Sequence, residues 1–139
     1  MGPDDRRSPA RVRDTYDDIA AHFSKTRAYP WPEVEAFLGD VPAGERGLDV
    51  GCGNGRHLGP LAELTDRAVG VDLSRGLLEE ARARLGDAAT LVQGDAATLP
   101  LGSGEVDVAL YVAAIHHLPD RGPRRGSLDE LARVLAPGG

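Results

Sequence analysis

The chain has one cysteine, Cys52, and one lysine, Lys25, among its 139 residues. A single thiol excludes an internal disulfide and any metal site built from several cysteines, and it gives no sign of redox chemistry. No stretch approaches the roughly 18 consecutive apolar residues that span a bilayer. The opening MGPDDRRSPARVRD carries charges where a signal peptide needs an apolar core. These absences predict a cytoplasmic protein with no membrane partner. Positive charge is also scarce, since 16 Lys+Arg against 22 Asp+Glu give a formal net charge of −6. That weighs against a nucleic-acid binder working by overall positive field, although an acidic, arginine-rich balance also fits adaptation to high salt. Two basic clusters remain, Arg6/Arg7/Arg11/Arg13 and Arg121/Arg124/Arg125, whose first reading is solvated helix faces.

What is present is enough for one core, with 41% hydrophobic residues, and a single domain over 1–139 is expected. Two helices are predicted within 8–39. The first starts at Ser8-Pro9, a cap followed by a proline at the first helical position, and carries Val12, Tyr16, Ile19 and Phe23 at helical spacing. The second restarts at Trp31-Pro32, with Val34, Phe37 and Leu38 as its buried side. From Arg46 onward, short apolar runs alternate with helical segments. GLDVG, RAVGVD, ATLVQGD and VDVALYVAAI read as strands. RHLGPLAEL, a segment capped by Ser74 bearing Leu77, Leu78, Ala81 and Leu85, and RRGSLDELARVL read as helices. This order predicts an α/β, doubly wound parallel sheet over 46–139, with helices on both faces. The sequence reaches VLAPGG where this architecture turns into a fifth strand, so a truncated fold of poor stability in isolation is expected.

The loop GLDVGCGNGRHLG lies at the exit of the first strand, where such sheets bind ligands. It is not a dinucleotide fingerprint, because Arg56 stands where the third glycine belongs. Nor is it a phosphate loop, since no Gly-Lys-Ser/Thr follows. What remains is Asp49, Gly51, Gly53 and Gly55, followed by Asp72 at the end of the second strand and Asp95 at the end of the third. Three acids at consecutive strand ends suit a cationic amino-acid tail, a ribose and an adenine amino group, the parts of S-adenosylmethionine. Asp72 as a helix cap and Asp95 as the start of a turn are the plainer alternatives.

These motifs resemble the class I S-adenosylmethionine-dependent methyltransferases. YDDIAAHFSKTRAYPWPEVEAFL, DAATLPLGSGEVDVAL and AAIHHLPDRGPRRGSLDELARVLAPGG narrow the resemblance to the tRNA wobble-uridine carboxymethyl methyltransferases. The resemblance implies S-adenosylmethionine as cofactor, held by Asp49, Gly51, Cys52, Gly53, Asn54, Gly55, Asp72, Leu73, Asp95 and Ala96. It also implies tRNA carrying 5-carboxymethyluridine as substrate and a small zinc-binding activator as partner. A carboxylate acceptor is already ionised at neutral pH and needs no general base, so substrate-side groups have only to position it. Arg27, Arg124, Arg125, His116 and His117 are the candidates. Methylation of an exocyclic amine is disfavoured by the lack of an Asn/Asp-Pro-Pro-Tyr/Phe motif after the fourth strand. Trp31 reads first as a packing anchor, with stacking on a base as the alternative. A small-molecule O- or N-methyltransferase and a non-catalytic binding module remain open.

Overall fold

Small residues decide how closely the first βαβ unit can pack. In the computed structural model the described residues are 29–112 and 121–139, the side chains of 121–124 excepted; the predicted helix from Ser8 to His22 lies outside them. In chain order the elements are α1 (Pro32–Asp40), β1 (Gly44–Val50), α2 (Leu58–Leu64), β2 (Thr65–Asp72), α3 (Arg75–Leu85), a 3-10 turn (Gly86–Ala88), β3 (Thr90–Gln93), β4 (Val108–Leu110) and α4 (Arg121–Val134). The strands pair in the order β3-β2-β1-β4, every pair parallel. Strand order therefore reverses between β1 and β4, which opens a crevice beyond Val50 and Leu110.

Alternation along the strands divides the core between two faces. Leu48, Val50 and Val71 pack with Val106 and Val134 on the α4 side. Ala68, Val108 and Leu110 pack with Leu58, Leu61 and Leu78 on the other. On that second face β1 and β2 present Gly47, Ala68 and Gly70, leaving room for α2. A Cβ on Gly47 would lie 3.0 Å from Leu61 Cγ, and one on Gly70 would lie 2.5 Å from Leu58 Cδ2 and 2.8 Å from Cys52 Sγ.

Several boundaries differ from expectation for identifiable reasons. β1 begins at Gly44 rather than Gly47 because Asp107 Oδ2 accepts from the Glu45 and Arg46 N–H groups at 3.1 and 3.0 Å. Hydropathy does not register this polar extension. Described β4 is only Val108–Leu110, and the 113–115 part of the expected strand lies outside the described residues. α4 begins at Arg121, three residues early, with Pro123 tolerated in its first turn. Ser74 caps α3 as expected, its hydroxyl accepting from Leu77 N–H at 3.1 Å. Phe37 is a correction: it is 47% exposed, whereas Val34 and Leu38 are buried. With Val34 and Leu38 defining the stripe, Phe37 falls about 80° from its centre at 3.6 residues per turn.

Gly70→Ala is expected to lower the unfolding free energy by about 1–3 kcal/mol, the usual cost of overpacking. Urea denaturation would measure it. Combination with Cys52→Ala should restore only part of the loss, because Leu58 Cδ2 is the nearer atom.

Candidate active site

The loop leaving β1 turns through three glycines with positive φ: Gly51 at 72°, Gly53 at 54° and Gly55 at 87°. L-residues rarely adopt that region. Gly55 carries a second constraint, since its Cβ would lie 3.0 Å from Leu85 Cδ1 and 3.3 Å from Ala81 Cβ. The loop thus sits close against α3. It is fastened to β2 by the Gly51 and Cys52 N–H groups, which donate to Val71 O at 2.7 and 3.1 Å. Asp72 completes the fastening. Its Oδ2 accepts from Gly53 N–H and its Oδ1 from Ser74 N–H, both at 2.8 Å. The cap alternative for Asp72 is therefore partly realised, with Ser74 as the true cap of α3.

Asp49 lies beneath this loop, 2% exposed, and its Oδ2 has no hydrogen-bond partner among the described residues. Burial first, and then the neighbouring Asp72 carboxylate, push its pKa up from 3.8 to about 8, against an opposing pull from Arg56. An unpartnered buried carboxylate oxygen is costly. Its natural complement is a cationic donor delivered by a ligand, which is the feature an aminoacyl tail would satisfy. The Cys52 thiol is buried and pushed well above its ordinary value by that burial and by the same two carboxylates. It stays protonated and is no nucleophile. Asn54, 1% exposed, turns Oδ1 back to accept from Arg56 N–H at 3.2 Å.

The exit of β3 lies beside that of β2, joined by Gly94 N–H donating to Asp72 O at 3.0 Å. Here Asp95 does begin a turn, its Oδ1 accepting from Ala97 N–H at 2.9 Å. Leu73 and Ala96 are half-buried on either side. The segment that follows is locked to α4 by Glu130 and Arg133. Glu130 Oε1 accepts from Leu99 N–H at 2.9 Å, and the Arg133 guanidinium donates to Leu101 O at 2.8 Å. The side-chain bond from Arg133 holds the Glu130 carboxyl below its usual range.

Across the switch point a cavity of about 700 Å³ opens between α1 and the end of β4, a size suited to a small ligand. Trp31, Glu33, Phe37, Leu110, Tyr111 and Val112 are among its lining residues. Tyr111 is fixed by its hydroxyl, which donates to Ser127 Oγ at 2.8 Å. The structure thus brings together Asp49, Gly51, Cys52, Gly53, Asn54, Gly55 and Asp72, with Leu73, Asp95 and Ala96 alongside. Arg27, His116 and His117 lie outside the described residues, as does the side chain of Arg124. Arg125 is exposed on α4 and does not line the cavity. Tyr111 and Val112 line it at the exit of the fourth strand, as their position in the sequence suggests, whereas the contribution of Phe37 escaped the sequence reading because its spacing looked like core.

Glycine loop, strand-end acids and switch-point crevice define a Rossmann-like α/β fold with a ligand site at the carboxyl edge of its sheet. A family model described as "Methyltransferase domain" matches residues 48–139, and the chain belongs to that family. The tRNA (carboxymethyluridine(34)-5-O)-methyltransferase alkbh8 of Xenopus tropicalis is 41% identical over 92% of this chain and 20% of its own length. The Saccharomyces cerevisiae tRNA (carboxymethyluridine(34)-5-O)-methyltransferase is 38% identical over 92% of this chain and 45% of its own. The chain therefore spans less than half the length of either relative. Among solved structures, the methyltransferase in a complex with the Haloferax volcanii Trm112 methyltransferase activator aligns with a TM-score of 0.79 at 30% identity, over 92% of this chain and 57% of that one. An S-adenosylmethionine dependent methyltransferase from Mesorhizobium loti aligns at 0.67 and 30% identity, over 78% and 50%.

The pKa of Asp49 rises on folding, the reverse of the usual carboxylate. Below about pH 4 both states hold the proton; from there to about pH 8 the native state keeps a proton that the unfolded chain has released. Unfolding free energy therefore falls as pH rises through that window. Asp49→Asn removes this dependence. Urea titrations are expected to find the variant equal to the parent near pH 4 and more stable by at least about 1 kcal/mol at pH 8. A parent that gains on the variant over that interval would contradict the buried, unpaired carboxylate.

Proposed function

We propose that the chain is an S-adenosylmethionine-dependent methyltransferase acting on the carboxylate of 5-carboxymethyluridine at the tRNA wobble position. The observation that carries the cofactor half is the buried Asp49 oxygen without a partner, beneath a glycine loop and beside Asp72. The residues fit the group. Asp49 would face its ammonium, the loop from Gly51 to Gly55 its amino-acid tail, Asp72 its ribose, and Leu73, Asp95 and Ala96 its adenine end. When bound, S-adenosylmethionine supplies an electrophilic methyl group on a sulfonium. The substrate half is supported by the frog and yeast relatives, both named for carboxymethyluridine(34) methylation.

The protein's own task is then alignment and exclusion of water. An ionised carboxylate needs no proton removed, and the cavity wall of Trp31, Phe37, Leu110, Tyr111 and Val112 offers planar and apolar surfaces to a pyrimidine. Among the described residues Glu33 is the one acid in that wall, so the acceptor carboxylate would turn away from it, toward the end of β4 and the glycine loop. Arg27, His116, His117 and Arg124 are the cations proposed to steer it, whereas Arg125, exposed on α4 and absent from the cavity wall, is not. A net charge of −6 leaves the chain short of phosphate-binding field, which favours help from a small activator subunit, and the Haloferax volcanii methyltransferase bound to its Trm112 activator supports such a partner; that it binds zinc is what the family resemblance implies. The same charge supports the second reading, a small-molecule O- or N-methyltransferase. A cytoplasmic location goes with either.

Calorimetric titration with S-adenosylhomocysteine is the test. We expect one saturable site, with affinity rising from pH 6 to 8 as Asp49 gives up its proton to pair with the ligand ammonium. Asp72→Ala should weaken binding by roughly tenfold to a hundredfold, the scale for losing charge-assisted hydrogen bonds. Asp72→Asn should weaken it less, since one carbonyl oxygen remains to accept from Gly53. With binding established, methyl transfer to tRNA bearing carboxymethyluridine, with and without the activator, separates the tRNA reading from the small-molecule one. No binding by chain shown to be folded would overturn the enzyme reading and leave a non-catalytic module.

A further inference from the structure

Trp31 is the chain's single tryptophan and stands between the two halves of the site. Its backbone is fixed, because its carbonyl accepts from the Val34 and Glu35 N–H groups at 3.0 and 3.1 Å at the start of α1. The ring meets the two residues that follow the last glycine of the cofactor loop. The Arg56 guanidinium carbon lies 5.0 Å from the ring centroid, within range for a cation–π contact. The His57 ring packs edge-on, 5.5 Å away with planes inclined at 75°.

His57 is 6% exposed, and neither of its ring nitrogens has a hydrogen-bond partner among the described residues. Burial, and secondarily Arg56, push its pKa down to about 4. At neutral pH it is an uncharged packing surface for Trp31. Arg56 in turn acts on Asp49, so it belongs electrostatically to the cofactor's amino-acid end. Trp31 also lines the cavity together with Phe37 and Tyr111.

We propose that Trp31 is a positioning residue that couples the cofactor loop to the acceptor cavity, so that cofactor and planar acceptor bind with positive cooperativity. The inference rests on the reading of this cavity as the acceptor site. Its physical basis is shared ordering. A ligand settled under the loop fixes Arg56 and His57, these fix the indole, and the acceptor then meets a wall whose conformational cost has already been met. Linkage makes the effect reciprocal.

Because Trp31 is the only tryptophan, its emission reports on this contact directly. Titration with S-adenosylhomocysteine should change the emission saturably, with the dissociation constant that calorimetry gives. Binding of 5-carboxymethyluridine nucleoside should tighten at least about fivefold when S-adenosylhomocysteine is present, the lower range of measured couplings. Trp31→Leu should reduce that ratio to within about twofold of one, and Trp31→Phe, which keeps an aromatic face, should retain most of it. Phe37 lines the cavity and is not a partner in the ring contacts of Trp31 with Arg56 and His57, so Phe37→Leu should weaken the nucleoside while keeping the ratio.

Failure is separable from failure of the functional reading. Calorimetric binding without any emission change, or a ratio equal in Trp31→Leu and the parent, overturns the coupling role and leaves the cofactor site standing. Absence of calorimetric binding overturns the cofactor reading and the coupling with it. Absence of nucleoside binding in the parent overturns the acceptor assignment of the cavity and the coupling alike.

Discussion

One carboxylate holds the crevice in shape. Asp72 accepts from Gly53 on one side and from Ser74 on the other, so it ties the glycine loop to the start of α3 at the end of the strand beside β1. Without it, three glycines in succession would leave a loop with high conformational entropy. With it, the loop is clamped from β2 through Val71 O and Asp72, and pressed on α3 at Gly55. The residue expected to face a ribose is thus also a structural brace. A carboxylate oxygen has two acceptor directions, so bracing and ligand contact are compatible.

Asp49 shows the opposite economy. It is fully buried at the end of β1, next to a second acid, with an oxygen unsatisfied. For folding alone this is a poor arrangement, and a neutral amide would be better tolerated. Sites that violate a folding rule are where function is expected. Here the violation has a direction, since the defect is one that a cation repairs. If Asp49 faces the ligand ammonium as proposed, binding and stability are linked at one atom, and a more stable chain would also have a weaker hold on the ligand.

Much of this was legible in the sequence because strand-end chemistry depends on backbone position. Once the βα alternation is recognised, Asp49, Asp72 and Asp95 fall at successive strand exits, and the glycine spacing separates the loop from dinucleotide and phosphate loops. Hidden were features set by tertiary contact. The extension of β1 over Gly44–Arg46 depends on Asp107, more than 60 residues away in sequence. Phe37 has the spacing of a core residue but lies on the flank of its stripe. Arg56, noticed only as a missing glycine, turns out to sit over Trp31, and no local pattern encodes that meeting.

The division between legible and hidden follows the division of labour within the site. The glycine-loop side of the crevice is built by backbone turns and by acids at fixed places, so its chemistry is written in short spacings. The cavity is lined by side chains from α1 and the end of β4, elements separated by about half the chain, and its surface is mostly aromatic and apolar. Such a wall suits the proposed reaction, whose nucleophile is already ionised: little acid–base machinery would be required, and what the wall would supply is shape. Trp31 lines the cavity and also meets Arg56 and His57 beside the glycine loop, so packing and stacking, the two readings that the sequence left open for it, are compatible in one ring.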